Sequence, residues 1–95
     1  MDRYRVILAP AAQRQLERLR GAGFIAMRGV TLALADEPRP PGSGKIAGTN
    51  DLWRVRIRID SMPWRIIYRL DGARRESVVT RVARRDEGTY RGVAG

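Results

Sequence analysis

The chain of 95 residues contains no cysteine and no histidine. Without cysteine there is neither a disulfide framework nor a thiolate for metal binding or nucleophilic attack. Without histidine the side chain that ordinarily titrates near neutral pH is missing, so hydrolytic chemistry must use other groups. A serine nucleophile has no imidazole partner here, and the scattered Asp and Glu form no ligand pattern, so no metal and no cofactor are expected. Carboxylates are scarce, 10 against 19 Lys and Arg, and Lys45 is the only lysine. Gly42-Ser43-Gly44-Lys45 is too short and wrongly placed for a phosphate-binding P-loop. No apolar run approaches the length of a membrane span, and Met1-Asp2-Arg3-Tyr4-Arg5 lacks a signal-type apolar stretch, so a cytoplasmic protein with no membrane partner is expected.

What is present is an arginine excess. The formal net charge is +9 and the sequence pI about 11.5, a balance that attracts phosphate polymers and acidic proteins at long range without choosing between them. With 43% hydrophobic residues, a chain of this length supports one folded domain over residues 1–95 with a modest core.

Tyr4-Arg5-Val6-Ile7-Leu8 reads as a first strand, and Pro10 permits a helix to start behind it. A helix is predicted over Ala11 to Arg20, with Ala12, Leu16 and Leu19 at helical spacing and Gly21-Ala22-Gly23 as its break. A second is predicted over Phe24 to Ala35, with Met27, Val30 and Leu34 on one side and Ile25 and Leu32 beside them. The stretch from Asp36 to Gly44, rich in proline and glycine, cannot continue a helix and reads as an ordered connector. Lys45-Ile46-Ala47 is a short strand, Gly48 to Asp51 a turn, and Trp53 to Leu70 a hairpin turning at Asp60-Ser61-Met62-Pro63. After a turn at Asp71 to Arg75, Glu76 to Ala83 carries the branched residues a strand prefers. The expected fold is α+β: an N-terminal strand, two helices, then a mostly antiparallel sheet of three to four strands.

The hairpin holds the main signal. Trp53-Arg54-Val55-Arg56-Ile57-Arg58-Ile59 alternates strictly and Trp64-Arg65-Ile66-Ile67-Tyr68-Arg69-Leu70 does so with one exception. Strand side chains alternate between faces, so one face carries Arg54, Arg56, Arg58, Arg65 and Arg69 and the other is apolar. Pairing Ile59 with Trp64 would set Arg58 opposite Arg65 and Arg54 opposite Arg69. Like charges directly opposite one another repel, by roughly 1 kcal/mol per close pair in water. The stripe fits either a solvated face of a basic protein or a polyanion site, and its paired register favours the site. Trp53 and Trp64 fall on the apolar side. Arg81, Arg84 and Arg85 follow on the last strand and tail, where Glu76, Asp86 and Glu87 could engage them in ordinary ion pairs. Tyr90 fits a tail anchor, a stacking platform or a proton-handling group.

Pro38-Arg39-Pro40-Pro41-Gly42, Lys45-Ile46-Ala47-Gly48, Trp53-Arg54-Val55-Arg56, Trp64-Arg65-Ile66-Ile67-Tyr68-Arg69 and Arg84-Arg85-Asp86 with Tyr90, in that order, resemble the RelE/ParE superfamily of bacterial toxins, in particular its RelE branch. The resemblance runs from Tyr4 to Tyr90. It implies a compact microbial RNase fold, a toxin of a type II toxin–antitoxin system with an acidic cognate antitoxin, and in the RelE branch ribosome-dependent cleavage of mRNA; ParE members share the fold and poison DNA gyrase. It further implies catalytic roles for Arg54, Arg56, Arg65, Arg85 and Tyr90. The chemistry would be attack of a ribose 2′-hydroxyl on the adjacent phosphate, with Arg65 and Arg85 stabilising the developing charge and Arg54 and Arg56 gripping the backbone. Arg58, Arg69, Lys45, Arg81 and Arg84 are the further candidates for RNA binding. Relatives often carry lysine at the first two positions; arginine stays protonated, so neither Arg54 nor Arg56 serves as general base. The expected partners are the antitoxin, the ribosome with its mRNA, and a toxin–antitoxin hetero-oligomer on operator DNA. The alternatives are a ParE-like gyrase inhibitor and a degenerate toxin acting only within its antitoxin complex.

Overall fold

A computed structural model describes residues 3–84. Five strands and two helices follow in the order β1 (Arg5–Leu8), α1 (Pro10–Glu17), α2 (Gly21–Ala33), β2 (Ser43–Lys45), β3 (Leu52–Ile59), β4 (Met62–Asp71) and β5 (Glu76–Arg84). The strands form one sheet in the order β1-β5-β4-β3-β2. All its pairings are antiparallel except β1 with β5, which is parallel. The α+β architecture is the expected one, with four strands after the helices and a mostly antiparallel sheet whose one parallel pair brings in β1 as a fifth strand.

Pro10 opens α1, where its missing N–H is no loss. The helix stops at Glu17, short of the expected Arg20, and α2 begins at Gly21 instead of Phe24. The glycine segment is therefore the first turn of α2 and not a break before it. Gly21 has φ +55, a conformation that lets the chain reverse between two helices only three residues apart. Gly23 faces the hairpin: a Cβ there would meet the Ile59 Cγ2 at 3.4 Å.

Both helices bury one side against a single sheet face. Ala12 and Leu16 of α1, Met27 of α2 and Leu34 at the C-cap of α2 form one cluster with Val55, Ile66, Tyr68, Leu70, Val79 and Val82, and Trp53, Ile57, Ile59 and Trp64 pack at its margin. Ile25 and Leu32, expected beside the buried side of α2, are 71% and 49% exposed. The helical period turns Thr31 inward in their place, and its hydroxyl is satisfied by donating to the Met27 carbonyl at 2.8 Å, which removes the penalty for burying it.

The connector is ordered by two contacts. The Tyr68 hydroxyl donates to the Pro38 carbonyl at 2.8 Å, and the Arg39 guanidinium lies over the Trp53 ring at 5.1 Å from its centroid, a favourable cation–π arrangement. Burial raises the Tyr68 phenol above its ordinary value of 10.0, outweighing the opposing influence of a hydrogen bond with Ser43 and the charge of Arg39. Ser43 through Lys45 then join the sheet, two residues earlier than the strand expected at Lys45-Ile46-Ala47.

Candidate functional site

The β3–β4 turn decides which arginines meet. Asp60 and Ser61 have φ of 51 and 67, the left-handed pair of a two-residue type I′ turn, whose twist matches that of the strands it joins. Met62 and Pro63 thus belong to β4, and the four-residue turn expected there is half that length. Ile59 pairs with Met62, not Trp64, and the whole register moves by two residues. Because the slip is even, every side chain keeps its face. The pairs themselves change: Arg56 now stands opposite Arg65, Arg54 opposite Ile67, Arg58 opposite Pro63 and Leu52 opposite Arg69. Pro63 is accommodated because the β4–β5 ladder starts only at Trp64, so a donor at Pro63 has no partner strand to serve.

Arg65 is buried, with 3% exposure, whereas Arg56 opposite it and Arg58 beside that pair are exposed. Together with Ile57, Pro63 and Trp64 these three arginines line a cleft of about 270 Å³. Arg58 also folds back to donate to the Ser61 carbonyl at 3.4 Å. Among the described residues no carboxylate lies within ion-pair distance of Arg54, Arg56 or Arg58. Positive charge concentrated on a partly desolvated wall raises the local potential and concentrates anions there. Strand parity assigns Trp64 to the apolar side, but at the hairpin end its ring borders the core, the cleft, and a second hollow with Gln15 and Arg18.

Arg81 joins the same face through an irregularity in β5. Ile67 pairs with Arg81 and Tyr68 with Val79, leaving Thr80 as an extra residue; its hydroxyl donates to the Ile67 carbonyl at 3.2 Å. This β-bulge reverses the alternation. Val79 and Val82 both reach the core, and Arg81 and Ala83 turn to the arginine face opposite Ile67 and Arg65. Ile67, the exception to the alternation of β4, is fully buried on that face between Arg54 and Arg81 in the register, where long alkyl stems are suited to cover it.

The remaining candidates divide. Arg69 is on the arginine face but pairs with Asp51 at 3.5 Å, both side chains about half exposed. Lys45 stands opposite Trp53 and Arg84 opposite Trp64, so both point to the other side of the sheet. Glu76 approaches Arg5 at 4.0 Å across the parallel pair, an acid that the sequence suggests for Arg81 or Arg84. Arg85, Asp86, Glu87 and Tyr90 lie outside the described residues. Arg54, Arg56, Arg58, Arg65 and Arg81 are therefore the group brought together. They can bind and neutralise a phosphate chain, and as permanently protonated groups they cannot abstract a proton. No helix among the described residues is long and apolar enough to cross a membrane.

Comparisons with known proteins place this geometry in context. The family described as ParE toxin of type II toxin–antitoxin system, parDE, matches residues 6–88. No curated protein matches the chain at a significant level. Among solved structures, a doubly substituted E. coli toxin RelE in the free state superposes with a TM-score of 0.77 at 15% identity, over 97% of this chain and 94% of that one. The toxin of the RelBE2 toxin–antitoxin complex from Mycobacterium tuberculosis gives 0.73 at 22% identity, over 87% and 99%. The archaeal RelE–RelB complex from Pyrococcus horikoshii gives 0.70 at 24% identity, over 93% and 100%. At these identities the structures establish a shared RelE fold.

Proposed function

We propose that this chain, which belongs to the ParE toxin family of type II toxin–antitoxin systems within the RelE/ParE superfamily, is a cytoplasmic toxin that cleaves mRNA on the ribosome. The observation that carries this reading is the placement of Arg65, buried to 3% exposure, directly opposite Arg56 in an arginine-lined cleft. Two facing cations repel across a strand pair, and a polyanion in the cleft offsets that repulsion.

The reaction begins with the ribose 2′-oxygen attacking the adjacent phosphorus as its proton leaves. The P–O5′ bond breaks and the leaving 5′-oxygen takes up a proton from solvent, giving a 2′,3′-cyclic phosphate and a 5′-hydroxyl. Arg65 and Arg85 stabilise charge on the non-bridging oxygens, and Arg54 and Arg56 hold the flanking backbone and favour the ionised 2′-oxygen. Arg58 and Arg81 extend the phosphate-binding surface, and Tyr90 is assigned to stacking or proton handling. With no histidine in the chain and arginines as the ionisable lining of the cleft, rate enhancement comes from positioning and electrostatics, and the proton is accepted by the ribosome, by solvent or by Tyr90. An acidic antitoxin covering the arginine face holds the toxin inactive, with an affinity that falls as salt rises.

Primer extension on ribosome-bound mRNA tests the reading. The chain is expected to generate new 5′ ends, and Arg65→Ala to reduce them by about 10²–10³-fold; ends that persist unchanged in that variant would exclude the assignment. A second reading, gyrase inhibition, is favoured by the ParE family match itself. Lost supercoiling with intact mRNA would select it.

A further inference from the structure

Gly44 occupies the middle of β2, a three-residue edge strand, directly opposite Arg54. Glycine weakens a strand, both by its freedom in the unfolded chain and by offering no side chain to pack. Its backbone here is not in the left-handed region, unlike that of Gly42 and Gly48, so conformation does not require it. Space does. A Cβ built on Gly44 would overlap the Arg54 Nη1 and lie 3.0 Å from Cζ and 3.2 Å from Nη2. The Arg54 head therefore lies against the β2 backbone, in the room that the missing side chain leaves. Arg54 is accordingly half-buried, whereas its neighbours Arg56 and Arg58 are exposed.

We propose that Gly44 is a positioning residue: it forms a seat on β2 that fixes the Arg54 guanidinium in the orientation used to grip a phosphate chain. The assignment rests on reading the arginine face as a phosphate-binding surface. A free arginine loses considerable rotamer freedom when it binds, and one already seated has lost it during folding. The seat thereby widens the cationic surface from β3 out to the sheet edge, on the opposite flank from Arg81 on β5.

The atoms that a Cβ would displace are the far end of a flexible side chain, so Gly44→Ala is accommodated by moving Arg54 and not by moving the strand. The variant is expected to fold with unchanged or raised thermal stability and to bind a short single-stranded RNA oligonucleotide about fivefold more weakly. Arg54→Ala is expected to weaken binding further and to lower the salt dependence by about one counterion. In the Arg54→Ala background Gly44→Ala should have no further effect on RNA affinity. Without RNA, the Arg54 Nε–H should show high order in the parent chain and low order in Gly44→Ala by NMR relaxation. An Arg54 Nε–H equally mobile in both proteins, or an equal loss of affinity in both backgrounds, would overturn the seat. A parent chain that binds no RNA while its Arg54 Nε–H is ordered by Gly44 would instead refute the phosphate-binding reading and leave the seat standing.

Discussion

The two faces of the β3–β4 hairpin are made from alternate residues of the same strands, yet they have opposite energetic signs. On one face Val55, Ile66, Tyr68 and Leu70 are buried under two helices, where each large apolar side chain contributes about 1.5–3 kcal/mol. On the other, Arg56 opposes Arg65, and like charges directly opposite one another repel. Period 2 lets a sheet separate these roles completely. The apolar side holds the strands together against the repulsion that the cationic side introduces.

Substitutions on the two sides should separate accordingly. Ile66→Ala, immediately beside Arg65 but on the core face and fully buried, should destabilise the chain by about 2–5 kcal/mol in chemical denaturation. At temperatures where the variant stays folded, its RNA affinity should equal that of the parent chain. Tyr68→Phe leaves packing intact but strands the Pro38 carbonyl that Tyr68 serves, at a cost of about 1 kcal/mol. It also changes the alkaline limb of stability. Below 10.0 the phenol is protonated in folded and unfolded chains alike; above it the unfolded chain releases a proton that burial makes the folded one retain. Stability from this residue is thus lost as pH rises beyond that value, and the Phe variant should show a shallower decline in pH-dependent melting. The smallest effect has the reverse sign: Arg56→Leu, which relieves the facing pair, should raise stability by roughly 0.2–1 kcal/mol as it lowers RNA affinity. A loss of both would mean that Arg56 has a structural role.

Much of this contrast was readable from residues 53–70, because a strict alternation can be satisfied only by a sheet with one apolar face. The pairing was harder. Asp60-Ser61 lacks the Asn-Gly or Asp-Gly signature of a type I′ turn, and Pro63 looks like a turn residue, so the expected loop was too long and the wrong arginines were set opposite each other. The bulge at Thr80 has no local signal at all: one extra residue in the ladder is defined by its partner strand, and it alone decides that Arg81 faces with the stripe. On α2, apolar content placed Ile25 and Leu32 near the core, but the helix has one buried side and Thr31 could share it by bonding its own preceding turn. The importance of Gly44 lies in what rests on it, which a local sequence pattern does not carry. A glycine that seats a side chain looks in sequence like one that merely turns a loop.

The parallel pairing of β1 with β5 sets a schedule for synthesis. The β3–β4 hairpin is local and such hairpins close in microseconds, well before a ribosome adding about 5–20 residues each second delivers β5. Yet β5 must insert between β4 and β1, joining Arg5 to Glu76, so neither the five-stranded sheet nor the bulge that presents Arg81 can exist on the emerging chain until its last strand is free. During that interval the arginine hairpin is formed but unsupported. Any partner that recognises the hairpin then has a window in which to meet the chain before β5 completes the sheet.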